Sequence, residues 1–266
     1  MKYWLAFKKY FRIWKIMTLA SFSISLVSRF GAILFFLGKT LRFIFFLLFL
    51  LILTGKTQVV AGYNLWQVVF FFMTFNLVDL TSQLFLREVY RLRPLVVSGN
   101  FDLVLVKPVN PLFRVLAGGA DLLDLFTLFP LVAFLIYAAI KMGGLDILGI
   151  IVYLLLLGNA FLIALALHTI VAAIGVLTTE VDNTIMLYRD LSSMARIPVD
   201  IYREPIRSFL TFVIPVGVMI TFPAKALMGL LSIQFILISL ILGVGLFFLG
   251  LGLWHFSLRR YSSASS

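Results

Sequence analysis

The chain reads REVYRLRPLVVSGNFDLVLVKPVNPLFRVL between residues 87 and 116, and this stretch separates two long apolar stretches. It contains four Arg, one Lys and three Pro. Because proline cannot donate a backbone hydrogen bond and clashes inside a helix, we predict a broken, folded loop outside the lipid. Its cationic residues predict the cytoplasmic side of a membrane. The alternative interpretation is a solvated connector without a function of its own.

The composition predicts an all-α polytopic membrane protein. Of the 266 residues, 62% are hydrophobic and 12% are charged. Several apolar stretches reach the roughly 20 helical residues that cross a hydrocarbon layer. The net charge of +11 does not indicate nucleic-acid binding, because the cations cluster at the ends of the apolar stretches. The absence of Cys excludes disulfides and thiol chemistry. We expect one transmembrane domain over residues 1–266.

Six transmembrane helices fit the hydropathy pattern. Five are expected at about residues 33–53, 64–86, 121–140, 145–177 and 230–256. The fifth in chain order is either the polar stretch 183–200 or the Pro-containing apolar stretch 205–224. With both termini inside and residues 178–207 also inside, 19 of the 22 Lys and Arg lie on the cytoplasmic side. Only Lys56, Lys141 and Lys225 are then outside.

An amphipathic helix is predicted at residues 2–30, ahead of the first span. Trp4, Phe7, Phe11 and Trp14 recur at helical spacing, and the Lys and Arg between them fall largely on the other face. This pattern is typical of a helix that lies on the membrane surface, with its aromatic face toward the lipid and its cations near anionic headgroups.

Charged residues in and beside the spans need partners or water. We expect Lys39 and Arg42 to extend to the cytoplasmic interface, with a cavity-facing position as the weaker alternative. Asp79 should face protein or water. Asp121 and Asp124 lie one turn apart, and we attribute them to a helix N-terminus, which favours anions, rather than to acid–base chemistry.

His168 belongs to a ladder with Ala160, Ala164 and Ala172 at intervals of four residues. Small residues at this spacing predict close helix packing. We interpret His168 as a hydrogen-bonded packing residue rather than a metal ligand, since no second His or Cys accompanies it.

Motifs of several enzyme classes are missing. The two Gly-Lys-Thr triplets lack the upstream Gly of a phosphate-binding loop, because Ile33 and Leu50 occupy those positions. The sequence contains no HExxH, GxSxG or CxxC motif. We therefore expect no catalytic residues, no metal site and no cofactor bound by this chain.

Three groups of residues resemble the permeases of ABC type-2 transporters. They are the loop motifs SGNFDL (98–103) and KPVNPLF (107–113), the downstream motifs RIPVDIY (196–202), LTFVIPV (210–216) and TFPA (221–224), and the C-terminal LRRYSSASS (258–266). The resemblance covers nearly the whole chain, and the motifs keep their order. Lys39 and Arg42 depart from the pattern that we expect in the first span.

This resemblance implies an ABC type-2 exporter-like architecture and a permease subunit without enzymatic activity. Such a subunit pairs with a second permease, identical or related, and with two copies of a separate ATPase that binds ATP and Mg. The implied location is the plasma membrane of a bacterium or archaeon, with both termini cytoplasmic. The expected activity is export of hydrophobic or amphiphilic compounds, including drugs.

The resemblance also assigns residues to roles. Coupling to the ATPase falls on the loop 87–116, at Gly99, Asp102, Lys107, Pro108, Asn110, Pro111 and Arg114. A re-entrant outer gate is implied at 201–225, with Pro198, Tyr202, Pro205, Pro215 and Pro223 as its residues. Asp79, His168, Arg189, Asp190 and Arg196 are expected at the translocation interface. On this interpretation, which we prefer, the fifth span is 183–200.

Two other classes of function remain open at this stage. An ATP-independent transporter or lipid scramblase would work without any ATPase. A membrane-embedded scaffold or sensor would move no substrate. The sequence does not identify the substrate.

Overall fold

A computed structural model describes residues 2–27, 29–57, 59–178 and 181–262 of the chain. These residues form helices and no strand, which confirms the all-α fold class. Five helical stretches among them are long and apolar enough to cross a membrane: Ile33–Lys56, Leu65–Val97, Leu123–Met142, Ile147–Thr178 and Ile233–Arg260. A bent pair of helices in residues 206–227 makes a sixth if it is counted as one span.

The described residues contain α-helices of very different lengths. In chain order they are α1 (Lys2–Val27), α2 (Arg29–Thr57), α3 (Leu65–Leu86), α4 (Leu92–Val97), α5 (Phe101–Leu105), α6 (Pro111–Leu116), α7 (Leu122–Met142), α8 (Ile147–Thr178), α9 (Val181–Ser193), α10 (Ile206–Ser208), α11 (Phe222–Leu227) and α12 (Ile233–Arg260). The five spans predicted from hydropathy fall on α2, α3, α7, α8 and α12.

Side-chain caps fix the starts of two long helices. Asn64 accepts a hydrogen bond from the Gln67 backbone at 3.0 Å, and the Gln67 side chain accepts one from the Asn64 backbone at 2.9 Å. Asp121 accepts from the Leu123 backbone at 2.9 Å at the start of α7. These caps satisfy backbone N–H groups that have no partner inside the helix.

α1 packs along the end of the bundle that carries residues 87–116, which we call the loop end. The rings of Trp4, Phe7, Phe11 and Trp14 follow one another along one face of α1, 5.9–6.1 Å apart. Trp14 also stacks on Phe85 of α3 at 5.6 Å. The predicted aromatic face therefore forms, and α1 ends at Val27, slightly before the predicted end of this helix.

α8 and α12 pack closely and run in the same direction. Asn159, in the first half of α8, donates at 2.8 Å to the backbone oxygen of Ser239, in the first half of α12. Farther along both helices, a side chain at Gly250 would come within 3.0 Å of the Ala166 carbonyl. Since α8 ends at one end of the bundle and α12 starts at the other, the residues between them must return once along the bundle.

The return segment contains α9. Near its start, Asp182 pairs with Arg93 of the loop end at 2.9 Å. Beyond α9, Asp200 accepts from the Tyr63 hydroxyl, just before α3, at 2.9 Å. Because α3 runs from Asn64 toward residue 87, Asp182 and Asp200 lie near opposite ends of α3. We call the end with Tyr63 and Asp200 the opposite end.

Residues 206–227 form two helical pieces that meet at an angle of 77°. The first piece is Ile206–Val213 and the second is Gly217–Leu227, so the break contains Pro215. Pro223, in contrast, lies at the start of α11, directly after the π-helical turn Gly217–Thr221, and does not interrupt its piece. Neither piece alone reaches the length that crosses a bilayer.

One charge assignment made from the sequence is wrong. The count of Lys and Arg placed residues 178–207, including Arg207, on the cytoplasmic side. It placed Lys225 on the outer side. Both cations pair with the Asp200 carboxylate, Arg207 at 2.9 Å and Lys225 at 2.8 Å. Two residues that share one carboxylate lie at the same end of the bundle. The count erred because it treated residues 178–207 as one unit, whereas the chain passes between the two ends within it.

Candidate functional site

A cavity of about 490 Å³ opens between α2, α3, α7 and the end of α9. This volume falls within the roughly 300–1,000 Å³ typical of ligand pockets. Its walls combine aromatic side chains with charged ones. The aromatic residues are Phe36, Phe43, Phe46, Phe72, Phe75 and Phe134, and the charged residues are Lys39, Arg42, Asp79, Arg189 and Arg196.

Lys39 and Arg42 line this cavity, so the preferred expectation that they extend to the membrane interface is wrong. The Lys39 ammonium pairs with the Asp124 carboxylate of α7, which is completely buried. A carboxylate on the facing helix is a nearer partner for the ammonium than headgroups at the interface, and the pair neutralises both charges. The weaker alternative, a position facing the cavity, is the observed one.

Asp124 is the centre of an ionic cluster beside the cavity. Arg87 approaches Asp121 at 2.6 Å and Asp124 at 3.3 Å. We call Lys39, Arg87, Asp121 and Asp124 the Asp124 cluster. Asp121 caps α7 as predicted, but a helix N-terminus does not account for Asp124, whose two oxygens meet cations from α2 and from the residues after α3.

A second ionic cluster lies at the opposite end. Asp200 meets Tyr63, Arg207 and Lys225 at 2.8–2.9 Å, and these four residues are called the Asp200 cluster. Burial raises the pKa of the Tyr63 hydroxyl, and the negative charge of Asp200 raises it further. No local sequence signal predicted this cluster, because its members come from four separate parts of the chain.

Three of the five residues expected at the translocation interface meet in the cavity. Asp79, Arg189 and Arg196 line it, and Asp79 accepts from the Gln83 side chain at 2.9 Å. Asp190 is exposed and does not line the cavity.

His168 is buried away from the cavity. Its Nδ1 lies 2.8 Å from the Ala164 carbonyl oxygen, and its ring meets the Tyr188 ring edge-on at 4.9 Å. Its contacts are those of the hydrogen-bonded packing residue that the sequence predicted. Among the described residues, no group of three or more His, Cys, Asp or Glu side chains could hold a metal ion.

The loop 87–116 folds into short helices rather than an extended connector. Gly99 adopts a φ of +75° between α4 and α5, a conformation that glycine reaches without steric cost. Asp102 lies in the first turn of α5. Asn110 caps α6 by accepting from the Leu112 backbone at 2.9 Å, and Pro111 occupies the first turn. Lys107 is exposed.

Contacts from three directions hold this loop. From α1, Lys9 donates to the Pro108 carbonyl at 2.6 Å, and the Tyr10 hydroxyl accepts from the Asn110 backbone at 3.1 Å. From the start of α7, Asp121 pairs with Arg87 at 2.6 Å. Within the loop itself, Arg114 pairs with Glu88 at 2.8 Å. The third direction is that of α12, where the contact is aromatic.

Phe101 of α5 packs edge-on against Trp254 and Tyr261 at the end of α12. Phe101 and Trp254 are both almost completely buried. The loop is thus attached to α1, to the start of α7 and to α12, and a displacement of the loop would move all three.

The residues expected in the gate lie in or beside the bent pair. Pro198, Pro215 and Pro223 are buried, whereas Pro205 is exposed. The Tyr202 hydroxyl donates to the Met194 carbonyl at 2.9 Å, and burial raises its pKa.

These features define an integral membrane protein with an internal cavity and a folded loop at one end of its helix bundle. The sequence profile of a family described as "ABC-2 family transporter protein" matches residues 39–265. Since this match covers most of the chain, the chain belongs to the ABC-2 transporter family. Members of this family form the membrane permease part of an ABC transporter. Comparisons with the curated proteins and with the solved structures found no match.

Proposed function

We propose that this chain is the permease of an ABC exporter, driven by a separate ATPase that binds ATP and Mg, and that it carries hydrophobic or amphiphilic compounds, including drugs. In this proposal it lies in the plasma membrane of a bacterium or archaeon with both termini cytoplasmic. A second permease, identical or related, completes the translocation path. The observation that carries the proposal is the loop 87–116, which lies within the residues matched by the family and is attached to α1, α7 and α12.

The exposed side of this loop suits an ATPase. Val97, Leu103 and Val106 are exposed, Val106 by 79%, and Lys107 follows them. Apolar side chains surrounded by polar residues outside the membrane are typical of a protein interface. When ATP binding moves the ATPase subunits, the displaced loop would shift α1 and α12 between two packings.

The exposed helix α2 suits a second permease. Only 6% of the most apolar stretch of α2 is buried by other parts of the chain, so this helix has surface available for a partner.

The candidates for coupling to the ATPase remain those of the loop: Gly99, Asp102, Lys107, Pro108, Asn110, Pro111 and Arg114.

Residues 201–225 are proposed as a re-entrant gate on the outer side, and residues 183–200 as the fifth span. The bend of 77° and the Asp200 cluster support both assignments. With Arg203 and Arg207 outside, 17 of the 22 Lys and Arg still lie inside. A test uses single Cys substitutions, since the chain has none. Cys at Arg203 and at Leu230, both exposed, should react with an impermeant thiol reagent from outside, and Cys at Lys107 should not. Labelling at Arg203 only from inside would contradict the gate.

The function is tested by ATP-driven transport in inverted vesicles that contain the permease and its ATPase. Val106→Asp and Lys107→Glu should reduce transport while the permease still inserts, because a charge is introduced or reversed at the docking surface. Val59→Asp is the matched control, since Val59 is 51% exposed at the opposite end. Transport that persists with a hydrolysis-deficient ATPase would support the ATP-independent alternative. Normal ATPase binding by both loop variants would place the interface elsewhere.

A further inference from the structure

Three guanidinium groups of the cavity have no carboxylate partner among the residues that the structure describes. Lys39 is neutralised by Asp124, but the described part of the chain places no carboxylate within ion-pairing distance of Arg42, Arg189 or Arg196. Arg196 lies within electrostatic range of Arg42, Arg189 and Asp79. Asp79 is the only carboxylate among the described residues that line the cavity. The lining therefore holds an excess of positive charge.

Aromatic rings orient two of these groups. The Arg196 guanidinium lies 5.7 Å from the centre of the Phe75 ring and 5.9 Å from that of Phe46. The Arg189 guanidinium lies 5.9 Å from the centre of the Tyr90 ring. A ring attracts a cation through its face but carries no charge that would neutralise it. The guanidinium N–H groups can still donate to an anion, and the fork of an arginine matches a carboxylate or a phosphate.

Excess cationic charge between apolar helices is costly without a counter-charge. A bound anion would supply that charge, and its hydrogen bonds to arginine would strengthen where water is partly excluded. Arg42 and Arg189 are exposed, so an anion can reach them without a rearrangement of the core.

The other walls are aromatic. Phe36, Phe43, Phe72 and Phe134 line the same cavity as the three arginines. Such a surface would bury a hydrocarbon or aryl group, because transfer of apolar surface from water to an apolar wall is favourable. One cavity thus presents an anion-binding region and an apolar region.

We propose that the cavity binds an amphiphilic anion, with a carboxylate, phosphate or sulfate group held by Arg42, Arg189 and Arg196 and an apolar body packed against the phenylalanines. This rests on the proposed export function and narrows its substrate class from amphiphiles in general to acidic ones. The anion can be an acidic membrane lipid or a compound that arrives from the cytoplasm.

A binding experiment on the full chain in phosphatidylcholine nanodiscs tests this site without any ATPase. The probe is a dansyl-labelled undecanoic acid, and its methyl ester is the uncharged comparison. Fluorescence in empty nanodiscs is subtracted from each titration. We expect the acid to bind at least about tenfold more tightly than the ester, because only the carboxylate of the acid can form charged hydrogen bonds with the arginines. Added salt should weaken binding of the acid and not of the ester.

Variants with opposite expected effects separate recognition from folding. Arg196→Ala should weaken binding of the acid by about tenfold and leave the ester unchanged, and Arg196→Lys should lose less. Asp79→Asn keeps an oxygen that can accept from Gln83 but removes the repulsive charge, so the acid should bind more tightly. A merely destabilised protein would not gain affinity. Arg260→Ala is the matched control, because Arg260 also lies over a phenylalanine ring, at 5.6 Å, but outside the cavity.

Adding phosphatidylglycerol, an acidic lipid, to the nanodiscs distinguishes the two sources of the anion, the membrane and the aqueous phase. Competition with the probe identifies an acidic lipid as the occupant, whereas unchanged binding identifies a compound from the aqueous phase. Equal affinity for acid and ester, or equal losses for both in Arg196→Ala, would overturn the proposal. ATP-driven transport that shows no preference for anions would overturn it while leaving the export function intact. Anion binding without ATP-driven transport would support the anion site and overturn the proposed export function.

Discussion

The Asp124 and Asp200 clusters repeat one arrangement at two ends of the same bundle, in different surroundings. Each centres on a carboxylate that meets two cations from separate elements. The Asp124 side chain is 0% exposed, whereas that of Asp200 is 13% exposed. Because water stabilises a charge that loses its partners, the same substitution should have different costs at the two sites.

The two clusters also connect different parts of the fold. The Asp124 cluster joins α2 and the residues after α3 to the start of α7, and its Lys39 also lines the cavity. The Asp200 cluster fastens the bent pair to the residues before α3 and does not touch the cavity. Breaking the first should disturb the cavity and the bundle together, and breaking the second should release mainly the bent pair.

Asp124→Ala should have the largest effect on stability. It leaves Lys39 and Arg87 without their shared buried partner, which typically costs about 3–5 kcal/mol. The measurement is the free energy of unfolding in mixed micelles of lipid and SDS. Asp146→Ala, at an exposed acid directly before α8, is the control and should cost no more than about 1 kcal/mol, as is typical of a lost helix cap. A loss for Asp124→Ala no larger than that of the control would show that the cluster contributes nothing to stability.

Asp200→Ala should destabilise the protein less. The lost interactions are two ion pairs and the bond from Tyr63, but partial exposure lets water reach the remaining charges. Loss of charged hydrogen bonds in such a site corresponds to about 1.5–3 kcal/mol. The same unfolding measurement checks this value. If Asp200→Ala costs as much as Asp124→Ala, the difference in burial between the clusters has no energetic consequence.

The sequence predicted the long helices but not these ionic partners. Apolar length alone located α2, α3, α7, α8 and α12, because the bilayer leaves few other structures for such stretches. Asp124 lies 85 residues from Lys39, and only the packing of α2 against α7 brings them together. The local explanation, a helix N-terminus, was available from the sequence and was incomplete.

The return segment shows a second limit. Residues 178–207 are polar enough to suggest one cytoplasmic segment, yet Asp182 and Asp200 lie near opposite ends of α3. Its polar side chains are accommodated by other helices and by the cavity, which hydropathy does not measure. The cationic cavity was likewise predictable only in part: Asp79, Arg189 and Arg196 were identified, but Arg42 required the packing of α2.

The titration of Tyr63 probes the charge of Asp200 directly. Burial is the larger cause of the raised pKa, and Asp200 is the second. Asp200→Asn should therefore lower this pKa while leaving it above its ordinary value of 10.0. The pKa of Tyr63 is measured from the tyrosinate absorbance during a pH titration. The absorbance of the corresponding Tyr63→Phe protein is subtracted in each case, so that only Tyr63 contributes. An unchanged pKa in Asp200→Asn would contradict the role of the carboxylate.

The raised pKa also fixes the direction of a pH effect. A tyrosine whose pKa is higher in the folded state contributes stability fully below the unfolded-state pKa, and this contribution is lost as the pH rises through the folded-state pKa. The part due to Tyr63 should therefore begin to fall above about pH 10, decrease further as the pH approaches the raised folded-state pKa, and be absent from Tyr63→Phe. A loss of the same size in Tyr63→Phe would assign the effect to other groups.

Asp182→Ala should have the smallest effect, although its pair with Arg93 is as short, at 2.9 Å, as that of Asp200 with Arg207. Both side chains of the Arg93–Asp182 pair are 53% exposed, and exposed pairs contribute about 0–1 kcal/mol. A double-mutant cycle with Arg93→Ala measures the interaction itself, and added salt should remove what remains. The exposed fraction thus rises from Asp124 to Asp200 to Asp182, and the Asp200–Arg207 and Asp182–Arg93 pairs have the same distance of 2.9 Å. A coupling energy for Asp182 equal to the cost at Asp200 would mean that distance, rather than burial, determines the strength of these clusters, and the contrast between the two ends of the bundle would then need another cause.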